Sequence, residues 1–107
     1  MKKSYLKSKN KCKVTFSCPD NNAETANLIG DFNDWNHETT PMKKGKNGFS
    51  VTVELEPGRA YQYRYLLDRE RWENDEAADH HVQSPYPDAQ NSIVNTPEPP
   101  LKSVRKA

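Results

Sequence analysis

Between residues 49 and 67 the chain has few options other than β-structure. Phe49, Val51, Val53 and Leu55 alternate with Ser50, Thr52 and Glu54, and Tyr61, Tyr63, Tyr65 and Leu67 repeat the pattern after a break. A period of two places every apolar side chain on one face of an extended strand, whereas a helix would scatter them around its axis. The break is Glu56-Pro57-Gly58-Arg59. Proline presets φ at the second position of a type II turn, and glycine accepts the positive φ of the third. The spacing predicts a β-hairpin over residues 49–67.

The rest of the chain follows the same grammar. Residues 13–18 alternate, with Val14, Phe16 and Cys18 on the inner face, and Pro19-Asp20-Asn21-Asn22 stops them with turn residues. Residues 26–30 read as a shorter strand. Residues 36–48 read as an irregular connection anchored by Met42. Asp68-Arg69-Glu70-Arg71 is a second turn, Trp72-Glu73 opens another short strand, and Ser92-Ile93-Val94-Asn95 is a last β-type run suited to a sheet edge. Residues 74–90, rich in acids, His and Pro, read as one long loop. Loops of that length in small domains are usually functional or disordered. No stretch sustains helical spacing. Short strands punctuated by Gly, Pro and Asn predict an all-β sandwich.

At 107 residues the chain is one domain, and at 33% apolar residues with a mean hydropathy of -1.11 its core must be thin. No apolar run approaches the roughly 20 residues of a membrane span. The N-terminus is charged without a hydrophobic block, unlike a signal peptide, so a cytoplasmic location is expected. Cys12 and Cys18 fall on one face of one strand, roughly 20 Å apart at ~3.3 Å per residue. A disulfide spans only about 4.4–6.8 Å between Cα atoms, so both read as buried free thiols.

Charge is segregated. Residues 1–13 hold Lys2, Lys3, Lys7, Lys9, Lys11 and Lys13 and no acid, while residues 14–96 hold fourteen acids against seven bases. The chain divides into a basic N-terminal arm over 1–11, a body over 12–95 and a Pro-rich disordered tail over 96–107. An acidic body with basic ends lacks the folded basic patch that nucleic acid requires. Neither nucleic acid nor membrane is an expected partner.

Two places carry residues suited to recognition. One is Leu28-Ile29-Gly30-Asp31-Phe32-Asn33-Asp34-Trp35-Asn36, where a strand runs into a polar loop. Gly30 is expected to let the backbone turn, Phe32 to plug the core, and Trp35 to form either a lid on the core or a flat surface for a flat ligand. The other is the strand over 61–67. If its tyrosines face the core, Gln62, Arg64 and Leu66 face outward, and the turn at 68–71 returns Trp72 beside them. Arg64 is then either a solvated strand residue pairing an acid or a donor fork beside an indole. Indole faces with Arg and amides suit sugars, whose rings have an apolar C–H face and a rim of hydroxyls. Glycoside hydrolysis needs two carboxylates across a cleft; the run Glu73, Asp75, Glu76, Asp79 has no supporting motif, so no catalytic residue and no enzyme activity is expected. Asp79-His80-His81 and His37 lack metal-ligand spacing, and neither a metal nor a cofactor is expected.

Taken together, Gly30-Asp31-Phe32-Asn33-Asp34-Trp35-Asn36, Met42, Gly48-Phe49, Leu55-Glu56-Pro57-Gly58, Tyr61-Gln62-Tyr63-Arg64-Tyr65, Asp68, Trp72, Asp75 and Asn91-Ser92-Ile93-Val94 resemble the family 48 carbohydrate-binding modules. The resemblance runs over about residues 12–95. It implies an immunoglobulin-like β-sandwich of the early set type, with about seven short antiparallel strands. It also implies that Trp35 and Trp72 stack on glucose rings, that Arg64 bonds sugar hydroxyls in place of the family's lysine, and that Asn91 contributes from the start of the last strand. Arg69 stands where the family usually has glycine, and residues 85–90 replace a Gly-rich segment. The chain is expected to stand alone, without a catalytic domain.

Two functions follow. The first is a non-catalytic module binding α-glucan, such as glycogen, starch or a maltooligosaccharide. The second is a protein-interaction or regulatory subunit that docks on a glycogen- or starch-metabolising enzyme or another partner through the same aromatics, without binding sugar itself. Exposed indoles on one surface favour the first, and a buried indole favours the second.

Overall fold

The computed structural model describes residues 1–20, 22–85 and 89–98. The tail expected over 96–107 lies outside the described residues from residue 99 onward. Nine strands occur among the described residues: β1 (Lys2–Leu6), β2 (Lys11–Cys18), β3 (Ala26–Gly30), β4 (Lys43–Gly45), β5 (Gly48–Leu55), β6 (Ala60–Leu67), β7 (Arg71–Glu73), β8 (His80–Gln83) and β9 (Gln90–Asn95). One antiparallel sheet has the order β1-β2-β5-β4 and the other β3-β6-β9-β8. β9 pairs with one half of β6, from Ala60 to Tyr63, and β7 pairs with the other half, from Tyr65 to Leu67. The two sheets form the expected sandwich.

The core lies between them. Val14, Phe16, Leu28, Tyr63, Leu67 and Val94 are fully buried, one set from each sheet. Cys12 and Cys18 are free and buried, and burial pushes the Cys18 thiol up to about 11. Met42 is buried, as the connection it anchors requires. Residues 40–42 also cover the outer edge of β3. The Leu28 amide donates to Thr40 O at 2.9 Å, and the Met42 amide donates to Ala26 O at 2.8 Å. With its edge capped, every residue of β3 is buried.

Four expectations need correction. Residues 49–67 are not a hairpin. β5 pairs with β2 and β4, whereas β6 pairs with β3, β9 and β7, so the Pro57-Gly58 turn crosses from one sheet to the other. Alternation states only that each strand buries one face, and both geometries satisfy it. The turn itself is as expected, with Gly58 at φ 68°. Residues 2–6 are not an arm but the edge strand β1. Lysines mask its pattern: Lys3 shares the inner face with Tyr5, and its ammonium crosses to sheet two, reaching Asp79 Oδ2 at 2.6 Å and Asn95 O at 2.8 Å. The loop over 74–90 contains β8, a mostly exposed strand whose side chains carry no apolar signal. β8 therefore takes the sheet edge, and β9 lies inside it. The count is nine strands rather than about seven, since three-residue strands such as β4 and β7 are too short to show a period.

The β6–β7 turn puts Asp68 and Arg69 at φ 52° and 62°, with Glu70 N donating to Leu67 O at 3.1 Å. Asp68 is fixed there because its Oδ1 accepts the Glu24 and Thr25 amides at 2.8 and 3.1 Å. Arg69 has no such reason to hold a left-handed backbone. Arg69→Gly is expected to raise stability by about 0.5–1 kcal/mol, seen as a higher urea midpoint at unchanged slope.

Candidate functional site

The loop after β3 is built on close approach. Gly30 does not adopt a conformation closed to other residues: its backbone is extended, at φ -173° and ψ -170°. Space is what excludes a side chain. A Cβ on Gly30 would lie 2.5 Å from Gln62 O and 2.7 Å from Tyr63 Cβ on β6. Gly30→Ala is expected to cost about 1–3 kcal/mol by overpacking, measurable as a fall in thermal midpoint.

The reversal itself comes one turn later. Asp31–Asn33 form a single 3-10 turn, and Asp34 and Trp35 follow at φ 57° each. Asn33 braces the bend. Its side-chain oxygen accepts the Gly30 amide at 3.1 Å, and its NH2 donates to Leu28 O at 2.9 Å and Thr40 Oγ1 at 3.0 Å. The Trp35 amide donates to Gly30 O at 2.9 Å. The two rings of the loop consequently part company. Phe32 packs on the core, 5.7 Å from the Phe16 ring and 5.9 Å from Tyr61. Trp35 is half-exposed, and its Nε1 donates to Asp31 Oδ1 at 2.9 Å.

β6 supplies the next residues through its parity. Tyr63, Tyr65 and Leu67 face the core, leaving Gln62 and Arg64 half-exposed on the outer face. The Leu66–Trp72 register brings the second indole onto that face. The Arg64 guanidinium carbon sits 5.3 Å from the centre of the Trp72 ring. Arg64 Nε is buried with no hydrogen-bond partner among the described residues. Burial draws the guanidinium below its ordinary pKa, and Glu73 opposes that shift. Asn91, at the start of β9, is 6% exposed, and its NH2 donates to Gln62 Oε1 at 3.0 Å.

These elements enclose one groove, lined by Asp31, Trp35, His37, Gln62, Arg64, Trp72, Ser84, Pro85 and Asn91. All four residues nominated from the sequence, Trp35, Arg64, Trp72 and Asn91, line it. Neither indole is buried. Sequence reasoning did not nominate Asp31, His37, Gln62, Ser84 or Pro85 as site residues. The parity of β6 places Gln62 on the face of Arg64 and was sufficient to find it. Asp31 and His37 sit in non-periodic loops, where no pattern marks them. The His37 ring meets Trp72 edge-on, 5.3 Å between centres.

Chemically the groove offers two indole surfaces, a cationic fork and amides. That set is chemically suited to a flat ring with an apolar face and hydroxyls at its rim. Asp31 is the carboxylate among the described lining residues, and both its oxygens are engaged: Oδ2 accepts the Gln62 amide at 2.7 Å. Among the described residues no three His, Cys, Asp or Glu side chains are grouped to hold a metal. His81 is exposed, and its Nε2 donates to Asp75 O at 2.9 Å. No helix among the described residues is long and apolar enough to cross a membrane.

No curated protein gives a significant match to the chain. The family model for carbohydrate-binding module 48, the isoamylase N-terminal domain, matches residues 5–86. That span runs from β1 past β8 and takes in Asp31, Trp35, Arg64 and Trp72. With most of its length matched and a two-sheet β-sandwich beneath it, the chain belongs to the carbohydrate-binding module 48 family.

Proposed function

We propose that this protein is a non-catalytic module that binds α-glucan (glycogen, starch or maltooligosaccharide) in the groove between Trp35 and Trp72. The observation that carries the reading is the convergence of two half-exposed indoles from different elements on one groove, with Arg64 against one of them. Each indole offers a face to a pyranose ring, and Arg64 and Gln62 offer donors to its hydroxyls. Membership in the family of the isoamylase N-terminal domain supports the α-linked class. Hydrolysis needs a pair of carboxylates across the bond, and Asp31 is the carboxylate among the described lining residues, which supports binding over cleavage. The alternative, docking on a glycogen- or starch-metabolising enzyme or another partner without binding sugar, would use the same aromatics.

The test is a titration of intrinsic tryptophan fluorescence with maltoheptaose, β-cyclodextrin and glycogen, with cellohexaose as the β-linked control. A saturable change with the α-linked sugars alone supports the proposal. A flat response to all of them, from protein with a cooperative melt, overturns it.

A further inference from the structure

We propose that Asp31 is the positioning residue of the groove, fixing the plane in which Trp35 meets a sugar ring; this rests on the glucan reading above. Trp35 reaches the groove from a bend at positive φ and is half-exposed. An indole in that position has two free side-chain torsions and one polar handle. Asp31 occupies the handle through Oδ1, at 2.9 Å from Trp35 Nε1. Its other oxygen, Oδ2, accepts the Gln62 amide at 2.7 Å. β3 ends opposite Tyr63, so the Gln62 N–H has no strand partner on that side. One carboxylate thereby locks a loop ring to the strand that carries Arg64. From Gln62 the brace continues to Asn91, whose NH2 donates to the Gln62 side-chain oxygen at 3.0 Å.

The requirement for a carboxylate is specific. Two N–H donors approach two different oxygens, and only an ionised Asp offers acceptors at both. Asparagine turns an NH2 toward one of the donors. The indole then loses its anchor or the Gln62 amide does, while size and backbone preference hardly change. Ordering a rotamer-rich side chain before binding lowers the entropy lost on binding.

Three readouts separate this role from a structural one. Parent, Asp31→Asn and Asp31→Ala are compared by the indole N–H resonances in a nitrogen–proton correlation spectrum, by maltoheptaose affinity, and by thermal midpoint. Trp72→Phe in the parent assigns the two indole peaks. In Asp31→Asn the Trp35 indole peak is expected to move upfield, and maltoheptaose affinity to fall about fivefold to tenfold, with the Trp72 peak and the melt nearly unchanged. An Asp31→Asn protein that shifts the Trp35 peak yet binds maltoheptaose like the parent overturns the proposal. So does a Trp35 peak that does not move. A parent that binds none of the sugars brings down the glucan reading and this proposal with it, a failure recognised because it appears before any substitution. Should Asp31→Ala fail to fold, the Asn variant still decides the matter.

Discussion

Asp75→Ala is expected to lower stability by about 3 kcal/mol or more, a loss of the size that truncating a large core side chain brings. Asp75, in the segment between β7 and β8, is 5% exposed. Its Oδ2 accepts the Tyr63 hydroxyl at 2.7 Å and the Tyr65 hydroxyl at 3.0 Å, and its Oδ1 accepts the Ala77 amide at 2.9 Å. Its own amide donates to Ser92 Oγ at 2.9 Å. Removing the carboxylate strands two phenols inside a sandwich, and each buried unsatisfied group costs about 1–3 kcal/mol. Tyr65 keeps part of its bonding through Ser17 O, 3.1 Å away on the opposite sheet, so Tyr63 loses more. Urea denaturation followed by tyrosine and tryptophan emission measures the difference. Asp75→Asn retains an acceptor and is expected to lose roughly half as much. A loss below about 1 kcal/mol in Asp75→Ala would mean that water replaces the carboxylate and that the network is not structural.

The same network fixes the alkaline limit. Burial, with the bond to and the charge of Asp75, raises the Tyr63 pKa far above the ordinary phenol value of 10.0, and burial followed by the Asp75 charge does so for Tyr65. A folded pKa raised above the unfolded one stabilises the fold fully below the unfolded value and loses that contribution as pH climbs beyond it. Stability is therefore expected to fall above about pH 10, where unfolded tyrosines ionise. A phenolate absorbance rise for this pair that precedes loss of structure would contradict the placement of their hydroxyls on Asp75.

The parts of this molecule that are legible in sequence are those in which one residue's environment depends on its own strand. Parity in β6 alone sends Tyr63 inward and Arg64 outward, and the short turn after it is enough to return Trp72. What sequence does not carry is the assignment of strands to sheets. β5 and β6 look like hairpin partners because alternation is blind to whether the buried faces belong to the same sheet or to opposed ones. β1 is hidden for a different reason. An inward lysine normally argues against a core-facing position, and Lys3 is tolerated only because Asp79 and a β9 carbonyl, more than seventy residues away, meet its ammonium. Asp31 is a third case. Nothing local distinguishes an Asp that clamps an indole from the three other short polar residues of the same loop.

Trp72→Ala is expected to weaken α-glucan binding at least about tenfold, or about 1.4 kcal/mol, while leaving the melt within a few degrees. Two features set Trp72 above Trp35 in expected effect. In the proposed site its ring is a contact surface for sugar, and in the structure it is also a support: Arg64 lies over it at 5.3 Å and His37 meets it edge-on. Deleting the indole removes sugar-stacking area and frees the guanidinium whose orientation it sets. Arg64 Nε is buried with no partner among the described residues, and the guanidinium packs on Trp72. Arg64→Ala and Trp72→Ala should for that reason be non-additive, the double variant losing less than the sum of the two. Arg64→Lys keeps the charge but gives up the planar fork and the stacking, and is expected to fall between parent and Arg64→Ala. Calorimetric titration with maltoheptaose reads all four variants on one scale. Parent-like affinity in Trp72→Ala would move the sugar site off this groove altogether. Simple additivity would instead place Arg64 and Trp72 on separate parts of the glucan, each fixed by something other than its neighbour.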